Sequence, residues 1–424
     1  MFIEFNVTNF RSVKETLTLS MAASKYYQGL EETNCLESGL AGLPKLLRSG
    51  VILGPNAGGK SNLFKGLKFM QTFILTSHSL QEGKKINVAP FALAVDTKEA
   101  PCEFEMFFIQ DQVRYQYGFA LNTFRVEREW LLAYPEGKAQ RWFERSYDKK
   151  TDKENWYFGS KFTGRKQLWQ EATRKNALFL STAIQLNNEQ LKPVFNWFQQ
   201  KLAVILPGEA INLQFTIDKC ALDEGKNRIM EFMNSADISI YGIDIEWKKI
   251  PVPPEILSSD IPQEVKEKMV KNLQEKGVPL IYFQHRDSTN QPVLFPLSEE
   301  SGGTQKLFAF SGPWIDALER GRILFVDELD TSLHPLLMRF LVENFHNETT
   351  NRNNAQLVFT THDTSILDTD LFRRDQIWFV EKDRENTTKL YPLSDFSPRK
   401  GEAFEKWYLK GRYGALPLIR DLRA

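Results

Sequence analysis

Cysteine is scarce in this sequence: Cys35, Cys102 and Cys220 are the only three in 424 residues. They are odd in number and far apart, which argues against a disulfide framework and against zinc-ligand spacing. An excess of one charge is also missing, because 54 basic residues stand against 54 acidic ones. That balance removes any whole-chain electrostatic attraction to nucleic acid and leaves only local patches to consider. No apolar run approaches the roughly 18 residues of a membrane span, and Met1-Phe2-Ile3-Glu4 lacks the basic start of a signal peptide. The reading is therefore a cytoplasmic protein without membrane partners. No long heptad repeat appears, so a coiled-coil arm is not expected.

What is present is enough apolar material, 42% of residues, for a large core. The pattern that organises it is Gly54-Pro55-Asn56-Ala57-Gly58-Gly59-Lys60-Ser61, which satisfies G-x-x-x-x-G-K-[ST] at every fixed position. Gly50-Val51-Ile52-Leu53 before it reads as a buried strand. After it, Leu63, Leu67, Met70 and Ile74 fall at helical spacing. In that strand-loop-helix setting the glycines let backbone N–H groups close around phosphates. Lys60 reaches the outer phosphates, Ser61 offers its hydroxyl to Mg²⁺, and the helix N-terminus adds partial positive charge.

A second constellation begins at Ser298-Glu299-Glu300-Ser301-Gly302-Gly303-Thr304-Gln305, ahead of a helix carrying Leu307, Phe308, Phe310, Trp314 and Leu318. Ile323-Leu324-Phe325-Val326-Asp327-Glu328 follows as an apolar strand ending in two carboxylates. Four consecutive apolar residues suit a parallel strand buried on both faces, with the acids at its carboxyl end beside the phosphate loop. Asp327 is placed to orient Mg²⁺ and Glu328 to polarise an attacking water. Then come Leu329-Asp330, a strand from Gln356 to Thr360, and His362.

The remainder is less specific. Met1 to Val7 reads as a strand followed by the turn Asn9-Phe10-Arg11-Ser12. Three further strands, 103–109, 114–121 and 125–134, form an antiparallel meander that extends it. Between Lys138 and Lys175, eleven Lys or Arg stand against five Asp or Glu, interleaved with aromatics. That mixture suits nucleic-acid binding and equally suits a twisted hairpin with one packed and one solvated face. Helices are expected at 176–184, 189–202 and 262–276, strands at 280–284 and 293–295, and Gln71 is expected on the solvated side of its helix.

The order of phosphate loop, Ser-Gly-Gly, Asp-Glu strand, Leu-Asp turn and strand-terminal His362 resembles that of ABC-type ATPase heads. Asn9-Phe10-Arg11-Ser12 is similar to the opening of SMC and RecF ATPases. The resemblance implies an α/β head with an antiparallel β extension and an inserted, mainly helical lid: residues 1–137 and 297–424 as its two lobes, 138–296 as the insertion. It implies ATP and Mg²⁺ as ligands, Arg11 in contact with nucleotide or with a partner, Asp330 near the nucleotide, and His362 as a switch to the γ-phosphate. It also implies that Ser301, Gly302 and Gly303 cover the nucleotide of a second copy in a homodimer or higher homo-oligomer. The glutamine loop of such heads is not identified, and Glu300 and Thr304 depart from the transporter pattern Leu-Ser-Gly-Gly-Gln. Residues 371–382, 408–417, 176–181 and 185–187 resemble the AAA15/AAA21-type ATPases called AbiLi or RloA. Those occur in bacterial anti-phage loci beside a separate effector, which implies a nucleotide-gated sensor or scaffold. An OLD-like nuclease and an SMC- or RecF-like repair ATPase are the alternatives. The nuclease is weakened by a tail of only about sixty residues after His362, with Asp368-Thr369-Asp370 as its one Asp-x-Asp.

Overall fold

The computed structural model describes the chain except residues 28, 208–212, 250, 252, 254–262, 276, 398–401 and 418–424. Pro251-Val252-Pro253-Pro254 reads from sequence as a proline-rich break; its Val252 and Pro254, and Pro262 and Lys276 at the ends of the helix expected over 262–276, lie outside the described residues.

Strands β1 (Phe2–Thr8), β2 (Leu17–Ser20), β3 (Cys35–Leu36), β4 (Leu46–Leu47) and β5 (Ser49–Leu53) lead to the long helix Lys60–Thr76. All five residues of β5 are buried, as are all of β15 (Ile323–Val326) and β16 (Gln356–Thr360). A strand with no polar face can sit only in the middle of a covered sheet, and these do. With β11 (Leu202–Ile205), β17 (Ile377–Lys382) and β18 (Thr388–Pro392) they form a six-stranded sheet in the order β11-β15-β16-β5-β17-β18. Every neighbouring pair is parallel except the last, so β5, β15 and β16 present their carboxyl ends along one edge.

The second sheet is antiparallel. Strands β6 (Cys102–Gln110), β7 (Val113–Leu121), β8 (Val126–Tyr134), β9 (Gln140–Asp148) and β10 (Lys153–Phe158) join β1 and β2 in the order β10-β9-β8-β7-β6-β1-β2. The alternation of buried and half-exposed residues in β1 and β6 marks a sheet packed on one face. The Lys60–Thr76 helix fills the space between the sheets. Phe64 meets Phe325 of β15 with ring centroids 5.4 Å apart, and Gly66 lies against Phe5 and Val7 of β1.

Two compact units result: residues 1–209, 317–331 and 335–424 form one, and 210–316 with 332–334 the other. The second contains the helices Leu213–Cys220, Asp223–Ser235 and Gln263–Glu275, most of the helix Gly302–Arg320, and a three-stranded sheet. In that sheet β13 (Val278–Arg286) lies between β12 (Gly242–Lys248) and β14 (Pro292–Pro296). The unit boundary at 210 differs from the boundary expected at 138, because β9 and β10 hydrogen-bond onto β8 and lengthen the first sheet. Trp142, Phe143, Phe162 and Trp169 are buried there, and of the aromatics between Lys138 and Lys175 Tyr157 is the exposed one, as the hairpin alternative with one packed face would have it. The helix expected over 189–202 is also corrected: it is helical at Lys192–Asn196, passes through a wider turn at Trp197–Lys201 and becomes β11. The register of Leu202 to Ile205 along Ile323 to Val326 outweighs the helical spacing of the preceding aromatics.

Candidate functional site

Strand β5 delivers the chain into the turn that starts at Gly54. A Cβ at Gly54 would fall 2.1 Å from the Val380 carbonyl oxygen, so no other residue fits between β5 and β17. At Gly59 the backbone is left-handed, φ +117°, and a Cβ would meet Thr388 Oγ1 at 2.1 Å. Close backbone approach at both ends of the loop is therefore enforced by sequence. Residues 55–62 line a cavity of about 260 Å³ together with Glu328, His362 and Lys382.

Lys60 is 5% exposed and folds back on the loop, donating to Gly54 O at 2.7 Å and Pro55 O at 3.2 Å. Burial pushes its pKa down to about 8, opposed by the charges of Asp327, Asp330 and Glu328. His362 Nδ1 lies 3.4 Å from Lys60 Nζ. Burial, and then the lysine charge, hold His362 below the ordinary imidazole range. An ammonium facing Nδ1 assigns that nitrogen as the acceptor and leaves the proton on Nε2.

The carboxylates are set by strand ends. Thr360, the last residue of β16, donates from Oγ1 to Asp327 Oδ1 at 2.5 Å and accepts the Glu328 backbone N–H at 2.8 Å. One hydroxyl thus fixes both acidic positions, and Glu328 is turned out of the strand with φ +54°. Asp327 is 4% exposed, yet its Oδ2 has no hydrogen-bond partner among the described residues. Asp330 accepts the His362 N–H through Oδ2 at 3.1 Å, while its buried Oδ1 has no partner among the described residues. Buried carboxylate oxygens left open beside a phosphate loop suit water-mediated Mg²⁺, and Ser61 sits at the first turn of the helix to supply a hydroxyl. Among the described residues no group of three or more His, Cys, Asp or Glu is arranged to hold a metal by itself.

The structure brings together Gly54 to Ser61, Asp327, Glu328, Asp330 and His362. Arg11 stands apart: its side chain is exposed, with the guanidinium 5.5 Å from the Phe10 ring, and it does not line the cavity. Its neighbour Ser12 is the residue of that turn that braces the site, accepting from Asn62 Nδ2 at 2.7 Å and lying 2.8 Å from Thr388 Oγ1. Gln71, expected to be solvated, instead donates to Phe198 O and Leu202 O and anchors β11 to the helix. Ser301, Gly302 and Gly303 belong to the second unit. There Ser301 Oγ accepts the Thr304 N–H at 3.1 Å, a helix N-cap, and Glu300 is held 2.7 Å from His285 Nε2. Sequence reading missed Ser12, Thr360, Thr388 and Lys382. Three of them adjoin quoted motifs, but only strand register reveals that they meet.

No curated protein matches this sequence. Among solved structures, an SMC head bound to the C-terminal winged-helix domain of ScpA is 11% identical, covering 92% of this chain and 97% of its own, with a TM-score of 0.42. The SMC head domain from Thermotoga maritima is 12% identical, covering 92% and 98%, with a TM-score of 0.39. At such values the likeness carries no argument, and the fold stands on its own strand order. The family model described as "AAA domain, putative AbiEii toxin, Type IV TA system" matches residues 51–194 and 228–368, more than half of the chain. With the phosphate loop inside its first segment and the carboxylates and His362 inside its second, that match makes this chain a member of the AAA-domain family so described.

Proposed function

We propose that this protein binds ATP with Mg²⁺ at Gly54 to Ser61, hydrolyses it slowly, and uses ATP-dependent pairing of two copies to control a separate effector in bacterial anti-phage defence. The observation that carries the reading is the Asp327–Thr360–Glu328 arrangement: a buried carboxylate with one oxygen committed to Thr360 and the other open, beside a second carboxylate lining the phosphate cavity.

On binding, the phosphates take the N–H groups of the loop, and Lys60 exchanges the Gly54 and Pro55 carbonyls for phosphate oxygens. Ser61 and Asp327 would hold Mg²⁺, which supplies neutralisation of the β- and γ-phosphate charge. Glu328 orients a water and takes its proton as the water oxygen bonds to the γ-phosphorus and the bond to the bridging oxygen breaks, releasing ADP. His362, neutral and bearing its proton on Nε2, donates to a γ-phosphate oxygen, and Asp330 holds its backbone for that contact.

Pairing and effector control rest on resemblance. In ABC-type heads the Ser-Gly-Gly segment covers nucleotide bound to the opposite copy, and the AbiLi- and RloA-type ATPases sit beside a separate effector. The nuclease alternative gains no support from the tail, where Asp368 is ion-paired with Arg339 and accepts the Asp370 N–H. Isothermal titration tests the site: wild type binds ATP and Lys60→Ala does not. Equal binding by Lys60→Ala would refute Gly54 to Ser61 as the site.

A further inference from the structure

The strand order separates the two flanks of the phosphate loop. Strands β15 and β16, which lead into Glu328 and His362, lie on one side of β5; β17 lies on the other, with Trp378 opposite Ile52 and Phe379 opposite Leu53. Strand β17 then runs past the start of the loop, its Val380 carbonyl closing against Gly54 and Gly58. Two residues further on, exposed Lys382 lines the same cavity as Lys60 and the loop.

Its position is fixed by the hairpin. Thr388 stands opposite Lys382 in β18, donates from Oγ1 to Gly58 O at 3.2 Å, and donates its backbone N–H to Ser12 O at 2.8 Å. Several other charges of this hairpin are committed: Glu381 accepts the Ala415 N–H, Glu385 pairs with Lys14, and Lys389 pairs with Glu15 and Asp383. The Lys382 side chain has no carboxylate or hydrogen-bond partner among the described residues.

We propose that Lys382 is a second phosphate-binding cation, one that grips the end of the nucleotide common to ATP and ADP, while Lys60, Glu328 and His362 face the transferred phosphate. An unpaired ammonium on the flank away from Glu328 and His362 meets the part of the ligand that does not react. This inference rests on the reading of Gly54 to Ser61 as an ATP site.

The test is titration of wild type, Lys382→Ala and Lys382→Arg with ATP and with ADP, both with Mg²⁺. Lys382→Ala should raise both dissociation constants by the same factor, about tenfold, as expected for losing one charge-assisted contact. Lys382→Arg should restore most of the affinity. Nucleotide-free Lys382→Ala should melt with wild type, since the side chain is exposed. Unchanged affinities in a folded Lys382→Ala overturn the proposal, and so does a loss confined to ATP, which would put the contact on the γ-phosphate. A wild type that binds neither nucleotide refutes the reading of the loop itself, an outcome distinct from either.

Discussion

Single side chains here carry their roles through what they are bonded to. Thr360 holds the Asp327 carboxylate and the Glu328 N–H with one hydroxyl, so Thr360→Val should remove both of those bonds with little change in volume. We expect steady-state hydrolysis to fall about tenfold to a hundredfold while ATP still binds, the range for removing a group that orients a metal ligand. An unchanged turnover number would show the bond to be dispensable. Lys60 brings a pH dependence. Its pKa of about 8 without nucleotide means that above pH 8 the free site is neutral at Lys60 and must take up a proton to meet the phosphates. ATP affinity should therefore be flat below that value and weaken above it, by up to about tenfold per pH unit, when followed by titration in a series of buffers. His346 works through stability. Burial, with a smaller contribution from Arg48, lowers its pKa from 6.5 to about 3, and its Nε2 lies 2.7 Å from Ser49 Oγ in β5. Because the folded value lies below the unfolded one, its neutral form contributes fully above pH 6.5. That contribution drops as pH falls toward 3, by up to about 1.4 kcal/mol per unit. Urea unfolding at pH 7 and pH 5 should show a larger acid loss in wild type than in His346→Gln.

At the scale of elements, the site is a set of strand ends, and the helix that bears Lys60 is held by packing on both sides. The stretch Asn176 to Ser181, part of the family resemblance, has a structural explanation. Buried Glu129 accepts the Phe179 and Leu180 N–H groups at the start of the helix Phe179–Gln185 and the Tyr117 hydroxyl. Arg145, 2% exposed, lies 3.1 Å from the same carboxylate. Arg145→Met leaves that charge buried and unpaired, and calorimetry should record a loss of about 3–5 kcal/mol. A loss below 1 kcal/mol would contradict the pairing. Similarly, Tyr413 and Tyr408 of the second resembling stretch pack on Phe379 of β17, with ring centroids 5.7 and 5.2 Å away. The phosphate loop, Asp327-Glu328 and His362 were legible in sequence because each is a contiguous pattern with a strict strand or helix context. Thr360 on Asp327, Ser12 on Asn62 and Lys382 beside the loop were not, because each depends on which strands become neighbours. Strand β11 was hidden for another reason: Leu191, Val194, Phe195 and Phe198 have helical spacing, and nothing local marks where the sheet takes over at Leu202.

Over the whole molecule the chain divides into two units, with the phosphate loop and carboxylates in one and Ser301 to Gly303 in the other. No helix among the described residues is long and apolar enough to cross a membrane. Nucleotide and Ser-Gly-Gly segment meet, in the proposed function, across two copies of the chain. Glu328→Gln removes the proton acceptor and keeps an oxygen to hold the water, so it should accumulate the ATP-bound pair. Ser301→Arg places bulk at the helix N-cap and should prevent pairing. Light scattering of Glu328→Gln with ATP and Mg²⁺ tests this most directly. The predicted result is a mass twice that measured without nucleotide or with ADP, reverting to the single mass when Ser301→Arg is added. One mass under all conditions, unchanged by ATP and by Ser301→Arg, would contradict nucleotide-gated pairing.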